Sequence, residues 1–141
     1  MLVLPSEWNA LIRAEGEAAY PNECCGTLIG EADGAGIKSV KRIVSILNAR
    51  EDGEQYHRFL ITPEDLLRAE QAARAFGLDV IGFYHSHPDH PSAPSDYDRD
   101  HALPFYSYVI VSVEKGTAEK ITSWELTTDR AEFLPEEIKE N

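Results

Sequence analysis

Three histidines and three acids crowd into the fourteen residues from His85 to Asp98, HSHPDHPSAPSDYD. Side chains two apart on an extended strand point to the same side, so His85 and His87 can aim both imidazoles at one point. Asp98 follows eleven residues later, beyond Pro88, Pro91 and Pro94, which restrict the backbone and can turn it back to deliver a carboxylate. Two imidazoles and a carboxylate suit zinc, and three protein ligands leave a fourth tetrahedral position for water, the arrangement of catalytic zinc. Iron and manganese accept similar donors. Spacing alone leaves His90, His101, Asp96 and Asp100 as rival ligands. It also leaves a second reading, in which a solvated proline-rich loop leads into a helix capped by Ser95 with Asp98 at the third helical position.

The elements that must position these residues follow from periodicity and punctuation. Ser6 can cap a helix running from Glu7 to about Tyr20, with Trp8, Leu11, Ile12, Glu15 and Ala19 at helical spacing and Pro21-Asn22 ending it. Cys24 to Gly30 and Ile37 to Leu47, joined by Asp33-Gly34-Ala35-Gly36, read as an antiparallel strand pair. A polar loop, Asn48 to Tyr56, and a strand from His57 to Ile61 come next. Thr62 then caps a second helix with Pro63 at its first position, and Gly77 closes it. Leu78 to Tyr84, LDVIGFY, reads as a buried central strand that leads directly into the histidines. A short helix from Ser95 to about Leu103, strands at Ser107 to Val113 and Ala118 to Leu126, and a last segment near Arg130 to Leu134 complete an α/β (α+β) expectation. That expectation is a single domain over residues 1–141 with one mixed sheet and flanking helices.

Composition narrows the function. Thirteen Lys and Arg against twenty-five Asp and Glu give a formal charge of -12, which repels a phosphate backbone and makes nucleic acid a poor partner. No apolar run approaches the roughly 18 residues of a membrane span, so no membrane is expected either. The N-terminus lacks the basic start of a secretion signal, and a cytoplasmic location is the expectation. The two cysteines, Cys24 and Cys25, are adjacent, which suits packing on a strand better than a disulfide.

His85-Ser86-His87-Pro88, six residues, then Ser95-x-x-Asp98 resembles the H-x-H-P-x6-S-x-x-D signature of JAMM/MPN+ zinc metalloproteases. Pro21-Asn22-Glu23-Cys24-Cys25-Gly26 is similar to the family's upstream glutamate segment, and the likeness runs from about Glu7 to Val113. The resemblance implies a curved, cytidine-deaminase-like sheet, Zn2+ as cofactor, and His85, His87 and Asp98 as its ligands. It further implies Glu23 as general acid/base and Ser95 as oxyanion stabiliser, while Asp89, His90 and Asp96 become bystanders. Family members hydrolyse the amide or isopeptide bond after the C-terminal Gly-Gly of ubiquitin-like proteins. The short chain resembles the small prokaryotic branch, similar to the CysO-cysteine peptidase, whose partners are sulfur-carrier proteins with such a tail. A non-catalytic MPN scaffold is the alternative, although this chain keeps every ligand that scaffolds lack. A zinc nucleoside deaminase is disfavoured because its H-x-E and P-C-x-x-C signature is missing. Oligomeric state is not legible at this level.

Overall fold

The computed structural model describes residues 1–46 and 61–140, which form an eight-stranded mixed sheet and three helices. In chain order these are β1 (Leu2–Val3), α1 (Ser6–Ala19), β2 (Cys25–Ala32), β3 (Lys38–Ile46), α2 (Pro63–Ala75), β4 (Asp79–Pro88), α3 (Asp96–His101), β5 (Ser107–Glu114), β6 (Thr117–Leu126), β7 (Phe133–Glu136) and β8 (Ile138–Lys139). The sheet runs β7-β6-β5-β4-β2-β3-β1-β8. Only Glu137 separates β7 from β8, although they stand at opposite ends of that order, so the sheet curls almost closed. Lys38 on β3 bridges the curl, donating to Ser107 Oγ on β5 at 3.0 Å and to Glu125 on β6 at 2.8 Å. The expected loop at Asn48 to Tyr56 and most of the expected strand after it lie outside the described residues. Among the described residues no helix is long and apolar enough to cross a membrane.

β4 is the spine, paired antiparallel with β2 and parallel with β5. Its two faces carry separate cores. Tyr84, Val109, Val111 and Val113 pack with Leu28 and Ile12 on the α1 side. Phe83, Tyr108, Leu126 and Ala102 pack with Leu66 on the α2 side. Each of the fully buried valines contributes about 2 kcal/mol, so the core, not the polar site, fixes where β4 lies. The strand also runs further than the apolar segment suggested. Pairing of His87 with Ser112 and Pro88 with Val113 keeps it extended through the histidines.

Two details of α1 differ from expectation. Ser6 is its first helical residue and caps nothing; Pro5 stands at the N-cap, and its carbonyl accepts from the Trp8 and Asn9 amides at 3.0 Å each. The buried stripe is Asn9, Ile12 and Gly16, while Leu11 is 47% exposed. The cause is close approach: a Cβ on Gly16 would stand 3.0 Å from Val113 Cγ2, so the helix turns its smallest residue to the sheet. α2 matches its sequence signals throughout. Thr62 and Asp65 form a reciprocal capping box, Pro63 opens the helix, and Gly77 leaves it at φ +68°.

Candidate metal centre

β4 presents Phe83, His85 and His87 on its α2 side, and Tyr84 and Ser86 on its α1 side, by simple strand alternation. His85 and His87 are 1% and 8% exposed. Their Nε2 atoms stand 3.1 Å apart. The proline-rich loop then returns the chain so that α3 starts beside them. Ser95 Oγ accepts from the Asp98 amide at 3.1 Å, and Asp98 Oδ2 accepts from the Ser95 amide at 2.8 Å. This capping box holds the Asp98 carboxylate against both rings, with Oδ1 3.3 Å from His85 Nε2 and Oδ2 3.1 Å from His87 Nε2. The metal-ligand reading and the helix-cap reading therefore describe one arrangement, since the cap aims the carboxylate.

Glu23 arrives by a different route. Register pairs Cys25 with His85 across β2 and β4, which brings the residues just before β2 alongside the histidines. Ser86, buried between the two histidines in sequence, fastens the junction: its Oγ accepts the Cys24 amide at 2.8 Å and its amide donates to the Cys24 carbonyl at 3.1 Å. Glu23 is buried, and a carboxylate oxygen of Glu23 lies within 4.8 Å of ring nitrogens of His85 and His87. Glu23, His85 and His87 thus form a buried group whose ligand atoms all lie within 4.8 Å of one another, beside the Asp98 carboxylate that also faces both rings.

The donor set fits a metal ion. Ligand atoms about 2.0 to 2.1 Å from zinc lie about 3.3 to 3.4 Å apart in a tetrahedron, close to the 3.1 to 3.3 Å separations of His85, His87 and Asp98. His87 Nδ1 is 2.7 Å from the Pro91 carbonyl, which only accepts, so Nδ1 carries the proton and a neutral His87 presents its Nε2 lone pair. That lone pair faces a carboxylate and a second ring nitrogen, an arrangement satisfied by a cation among them. Burial pushes the His85 pKa below its usual value, favouring the neutral ring, the form able to bind a metal. Burial pushes the Asp98 carboxyl up, but His85 and His87 outweigh it and hold Asp98 well below the usual carboxylate range.

The rival ligands make other contacts. His101 Nδ1 donates to the Tyr97 carbonyl at 2.9 Å, and its exposed ring stacks on Tyr97. Asp96 pairs with Arg99 at 3.7 Å in solvent, and Asp100 lies 3.9 Å from the same arginine. His90 is exposed on the rim of an open cleft that Glu23, His87, Ser95 and Asp98 also line. His57 lies outside the described residues. Asp89 also points away from the cluster: its carboxylate accepts from the Tyr20 hydroxyl and from the Lys115 amide, each at 2.7 Å. Spacing gives no sign of the bonds from Asp89 to Tyr20 and from Ser86 to Cys24, which join residues 69 and 62 positions apart. Cys25 is buried and Cys24 half-buried; burial pushes their thiols up to about 12 and about 11, which leaves both protonated at neutral pH. A second, largely apolar cavity opens on the other side of the centre, lined by Phe83, His85, Asp98, Leu103, Tyr108 and Phe133 among others.

Comparison with known proteins identifies the family. The family described as prokaryotic homologs of the JAB domain matches residues 5–127. A desampylase of Haloferax volcanii is 33% identical over 110 residues, 77% of this chain and 73% of that protein. A probable TtuB-protein conjugate cleaving protease of Thermus thermophilus is 32% identical over 80 residues, 57% of this chain and 53% of that protein. A solution structure from Salinibacter ruber superposes with a TM-score of 0.77 at 40% identity, covering 100% of this chain and 92% of that one. The chain belongs to the family of prokaryotic homologs of the JAB domain.

Proposed function

We propose that residues 1–141 act as one JAMM/MPN metalloprotease domain, hydrolysing the isopeptide or amide bond after the C-terminal Gly-Gly of a ubiquitin-like or sulfur-carrier protein. The observation that carries this is the convergence of His85, His87 and Asp98 at 3.1 to 3.3 Å with buried Glu23 beside them. Relatives named for removing or cleaving protein conjugates support the substrate class. His85, His87 and Asp98 would hold zinc, whose chemistry when bound is to acidify a water and polarise the scissile carbonyl.

The remaining work belongs to the chain's own groups. Glu23 takes the water's proton and passes it to the departing amine, which is a poor leaving group unless protonated. Its position suits that task, because its carboxylate is buried within 4.8 Å of the His85 and His87 ring nitrogens, within reach of a water held there. Ser95 Oγ accepts from the Asp98 amide, so its own hydroxyl proton can be directed to the carbonyl oxygen as charge develops there. An extended tail with two terminal glycines reaches the buried ligands without side chains that would collide with them. Apolar residues before the glycines suit the cavity lined by Phe83, Tyr108 and Leu103. The reaction takes place in the cytoplasm.

The test is mass spectrometry of a Gly-Gly-tailed carrier joined through an isopeptide bond to a lysine of a second protein. Zinc-loaded wild type should release the carrier with its Gly-Gly end intact, and Glu23→Gln should leave the conjugate whole. A conjugate untouched by wild type, or cut equally by both, would overturn the reading.

A further inference from the structure

The proposed acid/base and the proposed metal ligands stand on different segments, Glu23 on the turn after α1 and His87 at the end of β4. Beyond the Ser86 junction, Asp89 also ties these segments together. Asp89 follows the ligand strand by a single residue, and its Oδ2 accepts the Tyr20 hydroxyl at 2.7 Å. Tyr20 closes α1 three residues before Glu23, its amide donating to the Gly16 carbonyl at 3.2 Å. Asp89 Oδ1 accepts the Lys115 amide at 2.7 Å, and the Asp89 amide donates to the Val113 carbonyl at 2.8 Å. Both hydrogen bonds anchor Asp89 to the end of β5 and the turn beyond it. The end of α1 is fastened to the same region, because Glu17 Oε2 accepts the Ala118 amide at 2.8 Å.

Asp89 adopts φ 55°, a left-handed conformation that Asp tolerates better than most residues. This turns the chain immediately after Pro88, on the path to Pro91, whose carbonyl takes the His87 Nδ1 proton. One carboxylate thus faces both the segment that carries Glu23 and the segment that orients His87. A displacement near 1 Å at a reacting group costs about 100-fold in rate, so a partial loosening of this strut is expected to show in turnover before it shows in folding.

We propose that Tyr20 and Asp89 are positioning residues, which set the placement of Glu23 relative to the metal ligands. The proposal rests on Glu23 as the acid/base. Tyr20→Phe removes only the hydroxyl, and Asp89→Gly keeps the left-handed turn while removing the carboxylate. With the isopeptide conjugate as substrate, each should lower kcat about tenfold, leaving KM and one zinc per chain unchanged. Asp89→Asn, which retains one acceptor oxygen, should recover part of the loss.

In a Glu23→Gln background neither change should reduce the residual rate further, since residues acting through one group are not additive. Hydrogen exchange on the zinc-free protein gives a second readout. Tyr20→Phe should speed exchange both at residues 22–24 and at residues 89–92, whereas a merely local role for Tyr20 in ending α1 would affect only the first segment. Turnover within twofold of wild type for both variants, losses that multiply with that of Glu23→Gln, or faster exchange at 22–24 alone would overturn the proposal. If Glu23→Gln itself keeps full activity, the acid/base assignment fails, and the exchange result still decides whether the strut exists.

Discussion

Two helices of this protein begin with the same device. At α2, Thr62 Oγ1 accepts the Asp65 amide and Asp65 Oδ2 accepts the Thr62 amide, both at 3.1 Å. At α3, Ser95 and Asp98 make the same pair of bonds at 3.1 and 2.8 Å. The first box starts a helix of 13 residues, the second a helix of only 6. What separates them is the neighbour. Asp65 is half-buried, whereas Asp98 is buried against the Nε2 atoms of His85 and His87. A cap spends only part of its carboxylate on the backbone, and whatever strand lies opposite decides what the rest can do.

Substitutions at the two boxes should therefore diverge. The largest expected effect is Asp98→Asn, which keeps the side-chain shape and an acceptor oxygen but removes the charge; turnover should fall by about 1000-fold or more, as expected for a lost metal ligand. Asp65→Asn, the same chemical change, should leave turnover within about twofold.

Next come the hydroxyls. Ser95→Ala should lower kcat by about 100-fold through loss of an oxyanion donor and reduce stability by about 1 kcal/mol through loss of the cap. Thr62→Ala should show only the second effect, read as a shift of the melting temperature by about 4 °C. Equal kinetic losses at both caps would mean that Ser95 acts through helix α3 alone.

Metal removal sharpens the contrast in the absence of substrate. With zinc at about 100 times its dissociation constant, binding should stabilise the fold by about 2.7 kcal/mol. A chelator should abolish that increment in wild type and Asp65→Asn, and change nothing in Asp98→Asn.

The smallest effect is expected at the cysteines beside Glu23. Raising the Cys24 pKa from 9.0 to about 11 depresses the thiolate population about 100-fold below pH 9, and the sign is that of burial disfavouring charge. Alkylation of the folded protein at pH 8 should be slow and rise as pH approaches 11, and Cys24→Ala should keep the wild-type turnover. Fast alkylation at pH 8 would break the assignment of both thiols to packing.

Much of the scaffold was readable because its causes are local. Thr62, Pro63 and Gly77 bracket α2 by backbone chemistry within a few residues, and Asp33 builds the β2–β3 turn by accepting from the Ala35 and Ile37 amides at 2.9 Å each. Nothing comparable announces β1 and β8, which are two residues long and pair with each other only because the sheet curls. Ser6 misled because a serine before a helical stretch looks like a cap whether or not the proline ahead of it already occupies that position. In the site, strand alternation exposed His85 and His87, and the cap pattern exposed Ser95 and Asp98. Glu23 was reached only through resemblance, since its place depends on the pairing of Cys25 with His85 across 60 residues. Ser86 and Asp89 were illegible for the same reason: each works by touching a segment more than 60 positions away.

The central claim is that the box at α3 completes a zinc site and the box at α2 does not. Calorimetric titration of zinc into metal-free protein tests it most directly. One zinc per chain is expected for wild type and Asp65→Asn, with binding abolished or weakened at least 100-fold in Asp98→Asn. Zinc binding of equal affinity in Asp98→Asn, or none in the wild type, would contradict the account.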